Sequence, residues 1–139
     1  MKKISGAAFV VCMMILMSSV HAIAQEMGLK ANFSMSTSFY VGGAKMPAGS
    51  YSIRQSSEDQ SIYVVQNSTG SHEAMLVGQS SSATSPSGKA DIVFNRYGTA
   101  EYLVGADTST GTSVTFDTGA AEKSAAKKGS PQKHTVPAK

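Results

Sequence analysis

From Asn32 onward the chain alternates: Phe33, Met35, Thr37, Phe39 and Val41 are separated by Ser34, Ser36, Ser38 and Tyr40. A repeat of two sends successive side chains to opposite faces of a strand. The stretch therefore predicts a half-buried strand, one face to a core and one to water. Between Phe39 and Ile53 the chain reads as the end of that strand, a turn, and a second strand in which Tyr51 and Ile53 resume the spacing. Gly42, Gly43, Pro47 and Gly49 are the structural turn residues. Glycine takes backbone angles that other residues resist, and proline fixes its own φ while offering no donor.

The same grammar recurs downstream. Residues 61–65 form a β-branched and aromatic run suited to a buried strand. In 73–77, Met75 and Val77 make one face while Ala74 and Leu76 make the other. The serine-rich stretch 79–89, with Pro86 and Gly88, reads as an exposed and mobile loop. Residues 90–104 form a hairpin that reverses at Gly98, with Ile92 and Phe94 facing one way, and 113–116 give a last strand. Seven strands in about 85 residues is the rhythm of a small antiparallel β-sandwich or barrel, an all-β domain. Its expected core is Phe33, Phe39, Val41, Ile53, Ile62, Val64, Leu76, Phe94, Leu103 and Phe116.

The two ends differ from this body. Lys2 and Lys3, an apolar run over 7–17 and the exit Ala22-Ile-Ala24 predict a signal peptide over 1–24, cleaved after Ala24. The expected address is periplasmic or secreted, with no membrane span once the signal is removed. Cys12 is the only cysteine and lies inside the apolar run, which argues against lipidation and leaves the mature chain without a disulfide. A β-domain over 25–118 is then followed by a basic Ala/Lys-rich tail over 119–139. Residues 120–128 predict one or two helical turns with Thr118 as N-cap, and 129–139, interrupted by Pro131 and Pro137, read as disordered.

Charge follows the same division. Residues 25–119 carry five basic and eight acidic side chains, whereas the tail carries five lysines and Glu122. A nucleic-acid binder sets its cations on the folded face with aromatics among them, and this acidic body does not. No nucleic-acid partner is expected.

Two segments carry a resemblance. Val41-Gly42 through Met46-Pro47-Ala48-Gly49-Ser50-Tyr51-Ser52-Ile53 resembles a Val-Gly-x-x-x-Leu-Pro-Ala-Gly-x-Tyr-x-Ile turn, with Met46 for leucine. Phe94-Asn95-Arg96-Tyr97-Gly98-Thr99-Ala100-Glu101-Tyr102-Leu103 resembles a Phe-x-Arg-Tyr-Gly-Asp-x-Tyr-Phe-Leu hairpin, with Thr99 in place of the acid. Both motifs mark a family of small secreted proteins of uncharacterised function, numerous in soil bacteria of the Acidobacteria type. The resemblance implies a sandwich-like domain outside the cytoplasm, and it brings no activity, substrate or cofactor.

Candidate chemistry is sparse. Serine-type catalysis needs a base and an orienting acid. The mature chain offers only His72, beside Glu73 at a strand mouth, and His134, in the tail. No cysteine pair, His-x-His or calcium-type loop suggests a metal, and Asp91, Glu101 and Asp107 carry no spacing that points to paired-carboxylate chemistry. No catalytic, metal or cofactor residue is therefore assigned.

Arg96 and Tyr97 form the candidate recognition surface, Arg for anions and Tyr for contact area. The structural alternative pairs Arg96 with a nearby acid and packs Tyr97 beside the Gly98 turn. The expectation is a non-enzymatic exported domain that touches a protein or envelope polymer, or self-associates. A small ligand- or glycan-binding module is the alternative, and a hydrolase stands last.

Overall fold

The structure is a computed structural model that describes residues 28–82 and 88–139. The expected signal peptide and its cleavage point lie outside the described residues, as does 83–87 in the middle of the expected loop. Among the described residues the elements run β1 (Lys30–Met35), β2 (Phe39–Val41), β3 (Ala44–Met46), β4 (Gly49–Gln55), β5 (Ile62–Asn67), β6 (Glu73–Ser82), β7 (Asp91–Tyr97), β8 (Ala100–Asp107), β9 (Thr112–Phe116), α1 (Ala120–Ala126) and β10 (Gln132–Pro137). The strands pair in the order β1-β4-β5-β6-β9-β8-β2-β3, and β8 also pairs with β7, which in turn pairs with β10. Every pairing is antiparallel except a single parallel bridge between Tyr40 of β2 and Tyr102 of β8. The class is all-β and sandwich-like.

One strand belongs to both sheets. The first half of β6 pairs with β5, from Glu73 to Val77, and the second half pairs with β9, from Gly78 to Ser82. Gly78 marks the changeover. A Cβ there would stand 2.8 Å from the Phe116 ring and 2.9 Å from the Tyr63 ring, so only glycine lets the strand pass against both. The residues 79–82 expected in a loop are therefore strand, extended because β9 offers them a ladder.

Three further departures from the sequence pattern raise the strand count from seven to ten. The alternating stretch 33–41 is two strands, because the chain leaves β4's side at 36–38 and crosses to β8. The expected single turn over 42–49 holds the short strand β3 between two turns. Within it Gly42 (φ 58°) and Gly49 (φ 151°) need positive φ, as does Gly98 (φ 63°), whereas Gly43 does not. Pro47 is engaged through its carbonyl, which accepts a 2.5 Å bond from the Tyr51 hydroxyl.

The third departure is the tail. Residues 132–137 form β10 along the whole of β7, from Gln132 opposite Arg96 to Pro137 opposite Asp91. The expected disorder is corrected by a weak alternation: His134, Val136 and Ala138 are each partly buried between exposed neighbours. The helix forms as expected, with Gly119 and not Thr118 as its N-cap.

The core is aromatic. Phe33, Phe39, Tyr51 and Phe94 meet with ring centroids 4.9–6.1 Å apart, edge-on in most pairs. Of the residues expected inward on β5, Val64 is buried at 7% exposure but Ile62 only partly, and Tyr63 and Val65 fill the core at 1% and 0%. A run apolar on both faces leaves its register to its neighbours, and a one-residue slip exchanges the faces.

The sheet does not close. β1 and β10 run close together, but among the described residues backbone hydrogen bonds cross between them only just past β10, where Lys139 and Asn32 exchange both at 2.8 and 3.2 Å. Continuing this antiparallel pairing by two residues would set Ser34 opposite Pro137, which has no N–H to give. The ladder stops there and the seam opens.

Candidate functional site

The open seam leads to the tip of the β7–β8 hairpin. Gly98 and Thr99 form a two-residue turn, so Tyr97 pairs with Ala100 and Arg96 with Glu101. Arg96 donates to Glu101 Oε1 from Nε at 2.7 Å and from Nη2 at 2.5 Å. His134, brought in by β10, lies with Nδ1 2.8 Å from Glu101 Oε2. An ionised carboxylate only accepts, so His134 Nδ1 carries the hydrogen of that bond. Each carboxylate oxygen is therefore engaged by a basic side chain from a different strand.

Glu101 is almost fully buried, at 3% exposure, while the side chains of Arg96 and His134 remain 37% and 35% exposed. Burial alone would raise the Glu101 pKa. The hydrogen bonds from His134 and from Arg96 outweigh it and hold the carboxyl below its ordinary value. A groove of about 380 Å³ opens over this cluster, walled by Ser34, Ser36 and Thr37 on one side and by Arg96, Thr99 and His134 on the other.

Arg96 and Tyr97 do not share a face, because adjacent strand residues point opposite ways. Tyr97 stands on the other face of the hairpin, edge-on to Tyr102 at 5.7 Å, while Tyr102 stacks on Tyr40 at 4.9 Å. There α1 docks through Glu122 instead of an apolar stripe. Glu122 Oε1 accepts from Asn95 Nδ2 at 2.8 Å and from the Tyr97 hydroxyl at 3.3 Å. Burial, then the Glu122 carboxylate, raises the Tyr97 pKa.

A third feature lies on the outer face of β5 and β6. Met75 is 69% exposed and Val77 45%, directly across from Val64 and Ile62. The same row runs on through Arg54 to Lys30, two like charges opposite each other. Among the described residues neither forms an ion pair.

The remaining candidates stay apart. His72 is exposed in the β5–β6 turn, where its backbone N–H donates to Asn67 Oδ1 at 3.1 Å. Asp91 and Asp107 face each other across β7 and β8, but Glu101 stands at the far end of β8. Among the described residues no three His, Cys, Asp or Glu side chains gather as metal ligands.

The Glu101–His134 pair is half of a nucleophilic relay, which also needs a hydroxyl bonded to the ring. Among the described residues no hydroxyl bonds His134, and the nearby Ser34 Oγ pairs with Ser50 Oγ at 3.2 Å. The Arg96–Glu101 pairing follows from the two-residue turn at Gly98. Nothing in the sequence placed His134 beside it. Comparison with known proteins finds no family model, curated protein or solved structure that matches this chain.

Proposed function

We propose that this chain is a non-enzymatic exported β-domain that works by contact with another protein or with further copies of itself, in the periplasm or at the cell surface. The observation that carries this reading is the outer face of β5 and β6. An antiparallel sheet covered on one side turns polar residues to water on the other, as β1 does with Lys30, Asn32 and Ser34. At β5 and β6 that face is instead apolar: Met75 and Val77 stand exposed, beside a partly buried Ile62 and a Val64 buried at 7% exposure. A contiguous apolar patch on a water-facing sheet marks a contact surface. Lys30 and Arg54 at its border, without an ion pair among the described residues, suit an acidic rim on the partner. Export is supported by the charged start, apolar run and Ala-x-Ala exit of residues 1–24.

The test is a Met75→Lys, Val77→Lys double variant made in the native cells. Periplasm, envelope and medium are fractionated and the protein in each is sized by light scattering. The native protein should run in a larger assembly, and the folded double variant as a smaller species. A native protein that is monomeric in every fraction, and distributed like the variant, would sink this function. The Arg96–Glu101–His134 groove favours a second reading, a small binding module.

A further inference from the structure

The seam between β1 and β10 is bounded by two strand edges whose backbone groups are in part unused. Asn32 points its N–H and C=O across the seam to Lys139, so by the alternation of an antiparallel ladder Ser34 points its own the same way. On β10, Lys139 points outward and Ala138 points to Ala90 of the neighbouring strand side, so Thr135 also faces the seam. Pro137 stands between and cannot donate. Among the described residues Ser34 and Thr135 thus each present a backbone donor and acceptor without a backbone partner, one on either edge of the seam, and Ser34 also lines the groove that ends at Arg96 and His134.

The charges at this seam have one sign. β10 carries Lys133, and Lys139 follows. Neither β1 nor β10 holds an acid. Among the described residues Glu101 is the only carboxylate lining the groove, and both its oxygens are already bonded. Arg96 uses Nε and Nη2 on Glu101, leaving Nη1 without a hydrogen-bond partner among the described residues. Arg96 is therefore clamped in place and still has donors to offer. Among the described residues no Phe, Tyr or Trp lines the groove to stack on a sugar ring.

We propose that this seam is a docking site for an extended acidic peptide segment of another protein, which adds to the free strand edges at Ser34 and Thr135 and sets a carboxylate against Arg96. Main-chain bonds to a free edge supply affinity that is indifferent to sequence, and the charged end supplies selectivity. The site is separate from the apolar face of β5 and β6, so the two stand or fall independently.

The experiment uses isotope-labelled protein purified from the cells that make it. The probes are an acetylated pentapeptide of alternating valine and threonine with a central glutamate, its central-glutamine twin, and glucuronate. The glutamate peptide should shift the amide signals of Ser34, Thr99 and Thr135 and bind at least tenfold more tightly than its twin.

Arg96→Gln should abolish that preference. Ser34→Pro removes the N–H that faces the seam together with the exposed hydroxyl contact to Ser50, and should weaken both peptides about tenfold while the spectrum stays folded, whereas Ser34→Ala, which removes the hydroxyl alone, should leave both unchanged. Met75→Lys with Val77→Lys should leave peptide binding unchanged. Equal binding of the two peptides, glucuronate binding as tightly as the glutamate peptide, or no binding at millimolar peptide would each overturn the proposal.

Discussion

Glu101 and Glu122 are the buried acids among the described residues, at 3% and 4% exposure, and they stand on opposite faces of one hairpin. Glu101 is held by a guanidinium and an imidazole, Glu122 by an amide and a phenol. The hairpin's groove side meets β10, whose His134 is basic, while its other side meets a helix that brings the carboxylate to neutral donors already on the strand. The contrast teaches how a small, disulfide-free domain keeps two carboxylates out of water. One is compensated by charge at an edge that stays open, and the other by hydrogen bonds under a lid.

The largest expected effect comes from unbalancing the charged side. Arg96→Leu leaves Glu101 buried with His134 alone, and removal of one partner from a buried pair costs about 3 kcal/mol. On the neutral side, Asn95→Leu leaves Glu122 with only the long Tyr97 bond, a loss of about 2 kcal/mol. Urea unfolding of the two variants measures both. A larger loss from Asn95→Leu than from Arg96→Leu would erase the distinction between the two sites.

Acid sharpens the same contrast. The folded pKa of Glu101 lies below the ordinary 4.5, so its contribution is complete above that value and is lost as pH falls through the folded pKa. Stability of the native protein should therefore drop on acidification below about pH 4.5, the ordinary carboxyl value. Glu101→Gln should flatten that drop. An unchanged acid slope in Glu101→Gln would show that another group carries it, Asp59 being a second acid lowered by its bonds to Ser61.

Half of the charged site is legible in the chain. Gly98 fixes a two-residue turn, and that turn alone places Arg96 opposite Glu101. The alternation at Phe33, Phe39, Val41 and Phe94 likewise finds the core, because local period and burial agree there. His134 is different. It sits in a lysine- and proline-rich stretch whose only strand signal is partial burial at every second residue, and what orders it is β7, far away in sequence. An edge strand that accepts Pro137 has few local preferences to display. The slip at Tyr63 and Val65 has the same origin, since a run apolar on both faces is read correctly only from the strands beside it.

The smallest expected effect tests the neutral side atom by atom. Tyr97→Phe removes one 3.3 Å bond to Glu122 and keeps the ring against Tyr102, so it should cost about 1 kcal/mol, less than Asn95→Leu. The phenol also reports on its partner. Burial is the larger cause of the raised Tyr97 pKa and the Glu122 carboxylate the next, so Glu122→Gln should bring the titration only part of the way back toward 10.0. Ultraviolet absorbance titration of the native and Glu122→Gln proteins, with Tyr97→Phe to assign the signal, measures that return. A complete return would mean that Glu122, and not burial, sets the environment on this face, and the two acids would then be less different than their partners suggest.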